Sequence, residues 1–259
     1  MAWKSRCRGS FFIGAALSLL MIGLAACKNQ QIVQGECRPV NGADVCAWGE
    51  ISGNMLVAFG ATVPIRSVEN APADAPLVWP PVAAAAISLP EAVRSATGFE
   101  SLTIYWEPHG HSPGPYLTPH FDFHFNAVSM ANIDAIDCAD SIKPIRPPAG
   151  YELPDASIPQ LGTLTGLCVP KMGMHAVPET ELRASTLFQK TLLVGYYHGQ
   201  PIFLEPMITR ATLLERRSFA LSVPDVPDRP ANVRYPTRMQ ADYDNSAQAY
   251  RFVFSYSTS

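Results

Sequence analysis

Residues 107–126 read EPHGHSPGPYLTPHFDFHFN and hold four of the six histidines of the chain, His109, His111, His120 and His124. Imidazole and carboxylate groups are the usual protein ligands of zinc, iron, manganese or copper where thiolates take no part. The same two groups also carry protons in acid–base chemistry. The second half of the stretch alternates polar and aromatic residues. In an extended strand, successive side chains point to opposite faces. His120, Asp122, His124 and Asn126 then share one face, and Phe121, Phe123 and Phe125 share the other. The phenylalanines are candidates for a core, and the opposite face becomes the floor of a polar site. A merely solvated face more often carries Lys, Thr or Glu.

Spacing limits which of these groups act together. Residues two apart on a strand are separated by about 6.6 Å, so Asp122 can converge with either neighbouring histidine. His120 and His124 lie about 13 Å apart by the same rise. They share one ion only across a bulge; otherwise one is a direct ligand and the other lines the cleft. Further ligands must come from elsewhere in the chain. His175 ends the run KMGMH, and Glu205 precedes Pro206, which restricts its backbone. Glu107, His109 and His111 share parity if extended, but Pro108 and Gly110 favour a loop. His109 and His111 have the spacing of paired strand ligands and resemble the start of the cupin metal motif. The Glu expected a few residues later is absent, so the cupin assignment is not made. His198, beside Gly199, is explained by turn chemistry.

Other chemistries find little support. There is no G-x-S-x-G elbow, no P-loop and no dinucleotide glycine fingerprint. Asp122 with a histidine would make a metal-free acid–base pair, but no serine is placed as its nucleophile. A basic patch interleaved with aromatics is also missing, so no nucleic-acid partner is expected.

The first residues point to export. Lys4, Arg6 and Arg8 precede an apolar run over residues 11–26, the pattern of a signal peptide. The run ends in Leu24-Ala25-Ala26-Cys27, which resembles the lipobox of bacterial lipoproteins. That resemblance implies cleavage after residue 26, lipidation of Cys27 and a membrane anchor. Lys28 follows, and no Asp stands there to favour inner-membrane retention. The expected location is the periplasmic side of the outer membrane if the cell is Gram-negative. Three of the 19 basic residues and none of the 22 acidic ones lie in residues 1–26, which leaves a net charge of −6 beyond them.

Of the six cysteines, Cys7 falls in the signal and Cys27 is the lipid site. The remaining Cys37, Cys46, Cys138 and Cys168 read as two disulfides in an exported protein. Nearest-neighbour pairing, Cys37–Cys46 and Cys138–Cys168, is the expected connectivity, each bridge contributing about 2.5–4 kcal/mol.

The elements that must position the site are mostly strands. Residues 48–62 read as a first strand. Residues 101–107 alternate, with Leu102, Ile104 and Trp106 on one side, and should pair with residues 119–126 as a sequence neighbour. Residues 192–197 and 201–204 form a hairpin about His198-Gly199. Residues 250–256 alternate as a last strand. Short helical turns are expected after Pro90, near Thr180-Glu181 and within residues 208–217. Residues 137–170 look like a proline-rich excursion stapled at its base by Cys138 and Cys168. The expected class is mainly β: an antiparallel sandwich, jelly roll or open barrel with one or two short helices. The domain reading is a signal over 1–26, a tether with a small disulfide loop over 27–48, and one β-rich domain over 49–259.

The motifs PHFDFHF (119–125), MGMH (172–175) and FLEPMIT (203–209) together resemble an uncharacterised family of exported bacterial proteins, a domain of unknown function. The resemblance spans residues 49–259 and implies a β-rich exported domain and a possible homo-oligomer, with no established activity. It also groups His120, Asp122, His124, His175 and Glu205 as one mononuclear site, with His111 next in line. The functional expectation is a membrane-anchored extracytoplasmic protein with a His/carboxylate site for a divalent metal, zinc ahead of iron, manganese or copper. The alternative is a non-catalytic lipoprotein that binds a small molecule or a partner through a polar, histidine-lined cleft.

Overall fold

The computed structural model describes residues 30–158 and 161–256. The signal segment, the lipobox and Cys27 lie outside the described residues. The fold is mainly β, 44% strand and 14% helix, with antiparallel sheets that do not close into a barrel. Among the described residues no helix is long and apolar enough to cross a membrane.

One sheet has six strands in the order β1 (Gln30–Val40), β2 (Ala43–Ser52), β3 (Met55–Pro64), β15 (Ala249–Ser255), β14 (Arg238–Asp244) and β13 (Phe219–Ser222). The other has seven: β4 (Ala85–Ser88), β5 (Ser101–Glu107), β6 (His120–Asn126), β12 (Gln200–Thr209), β11 (Lys190–Tyr197), β10 (Met174–Pro178) and β7 (Tyr151–Glu152). A small pair, β8 (Ala156–Ile158) and β9 (Gly162–Leu164), sits apart from both.

The two large sheets meet through the phenylalanines of β6. Phe123 packs edge-on to Phe252 at 4.7 Å, Phe125 meets Phe254 at 4.9 Å, and Phe59 lies 6.1 Å from Phe125. All of these rings are buried in one continuous core. Burying a phenylalanine contributes about 1.5–3 kcal/mol relative to leaving it exposed, so this face holds β6 in place. Period-two alternation then turns His120, Asp122 and His124 to the far side of the same sheet.

The pairing of β5 with β6 runs without a shift from Ser101↔Asn126 to Glu107↔His120. The hairpin of β11 and β12 turns at His198 and Gly199, with φ of 50° and 71°. Positive φ at both turn positions matches the right-handed strand twist.

One expectation is corrected. Residues 30–48, read as tether, form β1 and half of β2, and β2 joins β3 through a turn at Gly53. β1 is an edge strand and mostly solvated, so its sequence lacks a buried stripe. Short helices accompany the sheets as expected, five among the described residues: α1 (Ile65–Glu69), α2 (Glu91–Thr97), α3 (Met130–Asp134), α4 (Glu179–Leu182) and α5 (Arg210–Leu214). Each is seven residues or shorter, too short to show a 3.6-residue period. Their starts are set locally. Prolines precede α1, α2 and α4, while the side chains of Ser129 and Thr209 cap α3 and α5.

Both disulfides pair as expected, Cys37–Cys46 across the first hairpin and Cys138–Cys168 at the base of the excursion. They point to an extracytoplasmic location.

Candidate metal centre

The polar face of the seven-stranded sheet carries two groups of ligands in place of the single grouping expected. One is His111, His120 and Asp122; the other is His124, His175 and Glu205. β6 runs through this region in unbroken register with β5, without the bulge that would draw His120 and His124 together. The two histidines therefore fall in different groups, as the strand rise demands.

β6 supplies His120 and Asp122 to the first group, and the loop after β5 supplies His111. His120 Nε2 lies 3.2 Å from His111 Nε2 and 3.2 Å from Asp122 Oδ1. His111 Nε2 lies 3.7 Å from Asp122 Oδ2. Each ring has its other nitrogen engaged: His120 Nδ1 donates to the Thr118 carbonyl at 2.6 Å, and His111 Nδ1 donates to the Ser112 carbonyl at 2.8 Å. These bonds fix the tautomers and aim both Nε2 atoms inward.

The second group draws on three strands, with His124 from β6, Glu205 from β12 and His175 from β10. The register of β12 with β6 places Glu205 opposite His124. The ladder breaks there, because Pro206 has no N–H to donate. His124 Nε2 is 3.2 Å from Glu205 Oε1, and His175 Nε2 is 3.7 Å from Glu205 Oε2. His175 Nδ1 donates to the Leu167 carbonyl at 2.9 Å. The His124 ring stacks on Phe203, at 4.5 Å and 4° between planes. Phe203 lies where a Cβ on Gly195 would fall, 1.9 Å from one ring carbon, so only glycine at 195 admits the ring.

Both groups have the chemistry of an ion site. The ligand atoms of each lie within 4.8 Å of one another. Ligands at 2.0–2.2 Å around a tetrahedral ion stand about 3.3–3.6 Å apart, close to the 3.2 and 3.7 Å separations here. Asp122 Oδ1 and Glu205 Oε2 are buried and accept no hydrogen bond. Such an orphaned carboxylate oxygen costs free energy unless a cation or donor meets it.

Electrostatics separate the two groups. Burial works against the Asp122 carboxylate, but the imidazoles of His120 and His111 outweigh it and hold Asp122 far below the usual carboxylate range. Burial also works against the His111 cation, yet the nearby Asp122 carboxylate and the hydrogen bond to the Ser112 carbonyl raise His111 to about 9. In His175 burial dominates and pulls the imidazole below its ordinary value, so it is neutral and presents a lone pair to Glu205.

A cleft partly open to solvent reaches both groups, touching His111 and Asp122 of one and His124, His175 and Glu205 of the other. Glu107, paired with His120 across the strands, also lines it. Burial and then the Asp122 charge push Glu107 up to about 7. Sequence reasoning noted the parity of Glu107 but did not place it among the site residues; its register opposite His120 was the signal. His109 stands outside both groups, paired with the exposed Asp74 at 2.8 Å, and His198 pairs with Asp140 at the hairpin turn. No family model, curated protein or solved structure matches the chain, so the reading of this centre rests on its own geometry.

Proposed function

We propose that the protein is an exported, membrane-anchored metal-binding protein whose two triads each hold a divalent ion at the floor of a ligand cleft. The anchor is the lipid on Cys27, on the periplasmic side of the outer membrane if the cell is Gram-negative. The observation that carries the reading is the convergence of nitrogens and carboxylates. Backbone carbonyls of Thr118, Ser112 and Leu167 turn three Nε2 atoms onto Asp122 and Glu205, at spacings that suit an ion. Two imidazoles and one carboxylate favour zinc, with iron, manganese and copper as the alternatives. The resemblance to a family of exported proteins agrees with this reading and adds no activity to it.

A divalent ion in such a setting supplies a Lewis acid of fixed geometry. The chain supplies the rest. Glu107, raised to about 7, holds or accepts a proton at its carboxylate beside the first triad. Phe203 and Tyr105 pack against the His124 ring and fix its direction. The reading assigns binding of an ion and of a small molecule; it assigns no reaction.

The test is metal content. The protein, stripped with chelator and dialysed against zinc, should retain two ions per chain by elemental analysis. Retention of none contradicts the reading. The anchor is tested by palmitate labelling, which should vanish in Cys27→Ser; label that persists removes the lipid from the proposal.

A further inference from the structure

Resting on that reading, we infer that the cleft takes a single-chain amphiphile, with an anionic head at the triads and an unbranched apolar tail along the outer wall. The cleft divides by chemistry. Its polar lining, here called the floor, is made of Glu107, His111, Asp122, His124, His175 and Glu205. Its walls are formed largely by Ile158, Leu164, Leu167, Val169, Met172 and Val177. Apolar walls with a few convergent polar groups suit a small molecule.

The floor demands a negative head. Two divalent ions bring four positive charges, Asp122 and Glu205 return two, Glu107 returns at most one, and neutral imidazoles return none, so a net positive charge is left. An excess of positive charge beside apolar walls is costly unless a counter-anion meets it. The walls demand the opposite of the tail. They offer few donors or acceptors, so a peptide or sugar would leave its own polar groups unpaired. An acyl chain has none to leave.

An exposed loop beside the cleft supports the same occupant. Trp79 and Pro81 line the cleft, and residues 77–82 carry Leu77, Val78, Trp79 and Val82 with 84%, 55%, 39% and 75% of their surface exposed. Singly exposed apolar residues are ordinary. Four within six residues of one loop, beside an apolar cleft, make a contiguous approach for an apolar chain.

Titration calorimetry with decanoate, acetate and decanol tests this on the zinc-loaded full chain. Decanoate should bind at least tenfold more tightly than acetate, which has the head alone, and than decanol, which has the tail alone. Stripping the zinc should lower decanoate affinity at least tenfold. Trp79→Ala, at a half-exposed loop position, should narrow the ratio of decanoate to acetate affinity. Decanoate no tighter than acetate, or binding equally well without zinc, overturns the amphiphile while leaving the ion count untouched. Zinc that fails to bind at all sinks the metal reading itself, and elemental analysis of the same sample tells the two failures apart.

Discussion

The two triads have the same composition, two histidines and one carboxylate, and differ in how the fold holds them. His124, His175 and Glu205 come from three hydrogen-bonded strands, and all three side chains are buried. His111 comes from a loop, and its side chain is 40% exposed. In the strand-held group, the inner triad, burial disfavours a charge on His175 and Glu205 Oε2 has no donor. In the group with the loop residue, the outer triad, a proton on His111 partly serves the role of an ion. Sites on rigid elements hold their geometry more closely than sites on loops. The inner triad should therefore bind its ion more tightly and depend on it more for stability.

The largest expected effect is at the inner carboxylate. Glu205→Ala should cost the inner ion well over 100-fold in affinity, because loss of an outer-shell partner alone costs 10–100-fold. The outer ion should stay within about threefold of its starting affinity; competition against a chromogenic chelator reads both. Equal losses at the two positions would erase the distinction between the triads.

His111→Ala should be milder, roughly tenfold at the outer ion, since water can replace a half-exposed ligand at a loop position. An effect as large as that of Glu205→Ala would show that the loop is as rigid as the strands.

Gly195→Ala probes the packing under the inner triad alone. Its new Cβ would meet the Phe203 ring at 1.9–2.1 Å. Overpacking of this kind costs about 1–3 kcal/mol, and displacing Phe203 unseats the His124 ring stacked on it. Denaturant melts should show the loss, and the inner ion should weaken while the outer one holds.

The smallest effect concerns the support of the outer triad. Tyr116 packs against His111 and donates to Glu181 Oε2 at 2.9 Å. Burial raises the Glu181 carboxyl above its ordinary 4.5. A raised carboxyl binds its proton more tightly in the folded state, so its contribution is full below 4.5 and is lost as pH rises through the raised value. The stability difference between the wild type and Glu181→Gln should therefore shift against the wild type as pH climbs above 4.5. A flat difference would remove Glu181 from the account.

How much of this could be read beforehand follows from where the physics is local. The alternation of HFDFHFN is a property of one strand, and it placed three phenylalanines in the core and three polar groups opposite them. The strand rise separated His120 from His124 before any coordinates. Cysteine arithmetic found both disulfides. What was missed depends on register. That Glu205 faces His124, and Glu107 faces His120, is decided by pairing between strands far apart in sequence. β1 was missed because an edge strand carries no apolar stripe, and β13 and β14 because a proline-rich segment precedes one and divides it from the other. Pro206 within a central strand breaks a local rule beside Glu205, and such departures concentrate at functional sites.

Anomalous diffraction from zinc-loaded crystals tests the central claim most directly. The account predicts two peaks per chain, one within about 2.0–2.2 Å of ligand atoms from His124, His175 and Glu205, and a weaker one among His111, His120 and Asp122. A single peak bridging Asp122 and His124, or none at either triad, would contradict it.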